Sequence, residues 1–69
     1  LHDPRYRALI EKLIKLRESK VMTQVELASS LKKPQSYIAK VENFDRRIDI
    51  IELQDWLKAL DTEIPIFFS

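Results

Sequence analysis

The chain has 69 residues, with no cysteine, no glycine, a single histidine and a formal net charge of +1. A chain this short forms one domain and buries only about 60% of the surface that its unfolded form exposes. Without thiols it has neither a disulfide framework nor a thiolate metal site, the lone His2 cannot build an imidazole site, and no stretch approaches the ~20 apolar residues of a bilayer-crossing helix. No signal-peptide pattern opens the chain, so a soluble, unanchored protein in a reducing cytosolic setting is expected.

The small net charge conceals an asymmetry. Residues 1–41 hold nine Lys/Arg against four Asp/Glu, whereas residues 42–69 hold three against seven. Such a division can make one face basic enough to approach phosphate while another repels it. Scattered solvated charge gives the same counts, so charge alone identifies no partner.

In chain order, Asp3 is the expected N-cap of a first helix with Pro4 at its first position, where a missing N–H costs nothing. The helix is predicted to run to about Ser19, burying a stripe of Leu9, Leu13 and Leu16 with Tyr6, Ile10 and Ile14 at its margins. A second helix starts at Thr23, which is spaced with Glu26 as a capping box, while Met22 and Leu27 are spaced as a hydrophobic staple. Leu27, Ala28 and Leu31 supply its inner face. Pro34 forces Lys33 out of helical geometry, so this helix is predicted to stop near Lys32.

After a tight turn, Pro34 opens a third helix to about Asn43, with Ile38 and Val41 inward and Gln35, Ser36, Ala39, Lys40 and Asn43 outward. Asp49 and Glu52 repeat the capping box, and Ile48 and Leu53 the staple, at the start of a fourth helix that ends near Asp61. Its stripe is Ile50, Leu53, Trp56, Leu57 and Leu60. Residues 62–69 are apolar without a helical period, and Pro65 breaks any continuation, so they are read as an extended arm on a 1–61 domain. Ile64, Ile66, Phe67 and Phe68 would form an exposed patch, to be covered by the domain itself or by a second subunit. The ending Phe-Phe-Ser is read as a cut from a longer chain. With no repeat and no sustained alternation, the expected fold is all-α: a compact bundle of four to five helices with an extended apolar C-terminal arm.

Two short helices joined by a tight turn, the second with a polar exposed face, describe a DNA-reading helix-turn-helix, although many small helical proteins contain such pairs. The run Thr23-Gln24-Val25-Glu26-Leu27-Ala28, followed by Pro34-Gln35-Ser36-Tyr37-Ile38-Ala39-Lys40-Val41-Glu42, resembles the lambda-repressor and Cro type (XRE-like) helix-turn-helix family of bacterial and phage transcriptional regulators. The resemblance spans about Leu13 to Leu60 and rests on Leu16-Arg17, Gln24, Leu27-Ala28, Ile38, Glu42, Leu53 and Leu60. Within that family, Gln35-Ser36-Tyr37-Ile38 and Arg46-Arg47-Ile48-Asp49 resemble a common bacterial regulator subgroup.

The resemblance implies sequence-specific binding of double-stranded DNA by a transcriptional regulator, repressor or activator, with helix 34–43 in the major groove. It further implies a homodimer on a palindromic operator, with half-sites roughly 34 Å apart, in the bacterial or phage-infected cytoplasm. No cofactor, metal, catalytic residue or small-molecule ligand is implied.

Position by position, Gln35, Ser36 and Lys40 fall where the family reads base edges, and an amide offers a donor and an acceptor together to adenine. Thr23, Gln24, Tyr37, Asn43, Arg46 and Arg47 fall at phosphate-contacting places. Gln24 is expected to be free at the helix tip, because capping occupies Thr23 and Glu26. Tyr37 has an equal alternative as a half-buried packing residue, and Arg46 and Arg47 as a solvated pair balanced by Asp45 and Asp49. Arg17 and Glu42 fall where the family pairs the first helix with the third, a structural role.

The sequence departs from the family twice. Lys32 stands where the turn usually has glycine, so either the lysine is left-handed or Pro34 reshapes the turn. Phe44 replaces a small residue, and either plugs the core or protrudes beside DNA. A second functional reading keeps the scaffold but makes it a protein-interaction module, antitoxin-like or co-regulator-binding, through the apolar arm. An enzyme is not expected, since no nucleophile sits in a recognisable pocket motif.

Overall fold

The computed structural model describes residues 3–69, and His2 lies outside them. The Asp3 carboxylate accepts from the Arg5 N–H at 2.8 Å and caps α1 (Pro4–Ser19). Tyr6, Ile10 and Leu13 are buried, while Leu9, Ile14 and Leu16 are only partly covered. The buried axis is therefore turned from the expected Leu9–Leu13–Leu16 stripe, because Arg17, one turn after Leu13, takes the next inward place to meet Glu42.

Both capping boxes form. Thr23 and Glu26 open α2 (Gln24–Leu31), and Asp49 and Glu52 open α4 (Ile50–Ala59), each satisfying backbone donors that helix geometry leaves orphaned. Pro34 is the extended residue before α3 (Gln35–Glu42) rather than its first helical residue. Ile50 is a correction: at the first position of α4 it is exposed, and Leu53, Trp56, Leu57 and Leu60 carry the buried stripe without it.

Each of these four helices ends through a left-handed residue that is not glycine: Val21, Lys32, Phe44 and Asp61, with φ of 55°, 56°, 64° and 57°. After each one the chain closes back five residues, as in the bonds from the Met22 N–H to the Arg17 carbonyl and from the Lys33 N–H to the Ala28 carbonyl. These are Schellman closures, which glycine normally provides. Of the two alternatives at Lys32, the left-handed lysine is the one adopted.

The C-terminal segment corrects the expectation of an extended arm. Residues Ile64–Phe67 form one helical turn, α5, with Pro65 in the first turn, where its missing N–H is harmless and its fixed φ is helical. Phe67 is buried, and the Lys12 ammonium donates to its carbonyl and lies 4.9 Å from its ring centroid. The domain thus covers part of the tail itself, while Ile66 and Phe68 remain exposed.

All regular structure among the described residues is helical. α2 packs on α3 and α4, α1 on α3, and α5 on α4. The core consists of Ile10, Leu13, Leu27, Ile38, Val41, Trp56, Leu57 and Leu60, each worth about 1.5–3 kcal/mol of burial for its aliphatic or aromatic side chain. It braces the α2–α3 pair from behind.

Candidate nucleic-acid interface

With Ile38 and Val41 in the core, the opposite face of α3 presents Gln35, Ser36 and Lys40 to solvent, while Ala39 is half-buried. Among the described residues Lys40 has no carboxylate partner. Asn43 is exposed at the C-cap of α3, and Thr23 is exposed at the N-cap of α2, where its hydroxyl accepts from the Glu26 N–H and keeps its own proton.

Gln24 is not free. Its Nε2 donates to Glu42 Oε1 at 2.9 Å, and its Oε1 accepts from Gln35 Nε2 at 2.7 Å. The glutamate is the last residue of α3 and the two amides are the first residues of α2 and α3, so the packing of the helix pair brings all three together. Glu42 also accepts from Arg17 Nε at 2.8 Å and Arg17 Nη2 at 3.0 Å, and Arg17 Nη1 donates to the Met22 carbonyl at 2.7 Å. The pair is nearly closed to water, with side chains 12% and 5% exposed. Every polar atom of this buried cluster has a partner.

Tyr37 takes the packing alternative. Its hydroxyl donates to Glu52 Oε2 at 2.9 Å and accepts from Trp56 Nε1 at 3.0 Å, so its only proton is committed inside the protein. Burial pushes this phenol above its ordinary value. Arg46 lies 4.7 Å from the Tyr37 ring centroid and donates to Glu52 at 2.9 Å. Burial raises the Glu52 carboxyl, but the Asp49 N–H, the Tyr37 hydroxyl and Arg46 outweigh it and hold the group below its usual range. Arg47 lies over the Tyr6 ring at 4.8 Å.

Phe44 plugs rather than protrudes. It is half-buried against the core, and the Arg7 guanidinium lies 4.1 Å from its centroid. Arg7, Arg46 and Arg47 thus each lie against an aromatic ring in or near the loop that follows α3. The family model for the helix-turn-helix matches residues 13–67, which takes in Arg46, Arg47 and the whole α2–α3 pair. The chain belongs to the Cro/C1-type, XRE-like helix-turn-helix family.

This helix-turn-helix domain is similar to a solved structure, an XRE-family like protein from Pseudomonas syringae pv. tomato str. DC3000. The two are 39% identical with a TM-score of 0.91, over 97% of this chain and 82% of the other. The comparison with curated proteins gave no match.

Two residues of the helix-turn-helix domain have roles that sequence reasoning missed. Tyr6 was placed only at a stripe margin, yet its hydroxyl donates to the Arg46 carbonyl at 3.5 Å and accepts from the Ile48 N–H at 3.3 Å, tying the α3–α4 loop to α1. Glu52 was read only as a cap. The available signal was chemical: a tyrosine in a buried stripe needs a partner for its hydroxyl, and a capping carboxylate has a second oxygen to spend.

Proposed function

We propose that this protein is a sequence-specific transcriptional regulator that lays α3 in the major groove of double-stranded DNA. Gln35, Ser36 and Lys40 read base edges there, while Thr23, Gln24, Asn43, Arg46 and Arg47 hold phosphates on either side. Membership of a DNA-binding regulator family sets the class. The observation that carries the reading is the exposed polar face of α3, placed between the α2 N-terminus and a loop bearing two arginines. Tyr37 drops out of the phosphate set, because its hydroxyl is spent on Glu52. Gln24 stays in it through the second hydrogen of its Nε2.

The protein acts in the cytoplasm as a homodimer on a palindromic operator, with residues 62–69 contributing the subunit contact beside the 1–61 DNA-binding domain. Ile66 in α5 and Phe68 at its C-cap, both exposed, support that contact. Selection of binding sites from a random DNA pool tests the proposal, with a recovered palindrome as the expected result. Anisotropy titration at two salt concentrations checks affinity, since binding through several phosphates must weaken steeply as salt rises. A protein that recovers no consensus and shows no salt-sensitive affinity would instead be an interaction module on this scaffold.

A further inference from the structure

We infer that Glu42 is a positioning residue for base choice: its carboxylate fixes the polarity of a hydrogen-bond relay through Gln24 to Gln35, and thereby selects adenine over guanine. The inference rests on the major-groove reading of Gln35 proposed above. An ionised carboxylate only accepts, so the Gln24 amide must turn its NH2 toward Glu42, as the 2.9 Å contact shows. With the second Nε2 hydrogen committed to a phosphate, as proposed above, its carbonyl is left to face Gln35, which answers with its own NH2, at 2.7 Å. One hydrogen of Gln35 Nε2 is consumed. The outward edge of Gln35 retains one carbonyl oxygen and one N–H.

That pairing of acceptor and donor complements the N6 amino group and N7 of adenine. Guanine shows two acceptors, O6 and N7, and needs two donors. Gln35 would offer two only if the relay ran the other way, with its carbonyl accepting from Gln24. That reversal sets the Gln24 carbonyl against the Glu42 carboxylate, acceptor against acceptor. Arg17 holds the carboxylate in place through both of its oxygens. A residue buried beneath the surface thus determines what an exposed one can read.

The test compares DNA duplexes carrying A or G at the base pair whose identity Gln35→Ala ceases to read. The ratio of affinities is taken within each protein, so that uniform losses cancel. The wild-type protein is expected to favour A by about tenfold or more. Glu42→Gln, which can donate as well as accept, is expected to bring the ratio within about threefold of unity or to invert it. Gln24→Leu, which cuts the relay at a half-buried helix start, gives the same collapse and serves if Glu42→Gln does not fold. Leu27→Ala, which destabilises the core without touching the relay, keeps the wild-type ratio.

A wild-type preference for guanine overturns the inference, as does an unchanged A:G ratio in folded Glu42→Gln or in Gln24→Leu. If the wild-type protein selects no sequence at all, the regulator reading itself fails and the inference falls with it.

Discussion

Gln35 and Arg47 are both exposed and both lie on the proposed DNA face, yet their chemistry predicts different failures. Gln35→Ala should remove about 1–3 kcal/mol of discrimination at one base pair and leave affinity for random DNA nearly unchanged. Arg47→Ala should weaken specific and random DNA alike and reduce the salt slope by about one unit. Competition titrations over a salt series separate the two. Arg17 and Glu42 are a third kind of residue. Truncating either leaves the other buried and unpaired, so Arg17→Ala or Glu42→Ala should cost about 3–5 kcal/mol in urea unfolding. The family pairing that suggested this ion pair said nothing of its third partner. That Gln24 joins it depends on the distance between two helix N-termini, which only the packing of α2 on α3 determines. For the same reason Tyr37 could not be assigned from sequence, since its hydroxyl answers to Trp56 and Glu52 on another helix.

At the scale of the element, helix starts were legible and helix interiors nearly so. A capping box needs only four consecutive residues, and Thr23 to Glu26 and Asp49 to Glu52 form as expected. The α1 stripe was misjudged because apolar spacing cannot say that a charged Arg17 faces inward. Residues 62–69 were misjudged because a single turn is too short to display a period.

The caps also make the fold sensitive to acid. Bonding to the Thr23 backbone lowers the Glu26 carboxyl, and the Asp49, Tyr37 and Arg46 donors overcome burial to lower Glu52, both from an ordinary value of 4.5. The stabilisation from these groups is present above that value and is lost as pH falls through their lower folded-state values. Thermal unfolding between about pH 6 and 3 should show the decline, and Glu26→Gln with Glu52→Gln should flatten it. Helix ends carry the opposite signature. A left-handed non-glycine residue costs about 1–2 kcal/mol, part of which glycine's own entropy takes back. Lys32→Gly should therefore stabilise the protein by about 0.5–1 kcal/mol, which moves the unfolding temperature by a few degrees.

Across the whole molecule, α1 touches both the exit of α3 and the C-terminal turn. Arg7 covers Phe44 at the exit of α3, and Lys12 holds Phe67 of α5. No helix among the described residues is long and apolar enough to cross a membrane. The class of the fold was legible from sequence because 3.6-residue periods and caps are local. The orientation of the tail was not, since it depends on contacts between α1 and α5 that lie more than fifty residues apart.

The Tyr6 hydroxyl, shared between the Arg46 carbonyl and the Ile48 N–H, bears on the thermodynamics of any encounter with DNA. On the proposed DNA-binding reading, a loop already tied to α1 would present its arginines without first having to order. Calorimetry over a range of temperatures should then give a heat-capacity change set by the contact surface alone. Tyr6→Phe, which unties the loop, should make that change more negative as the segment folds against its target.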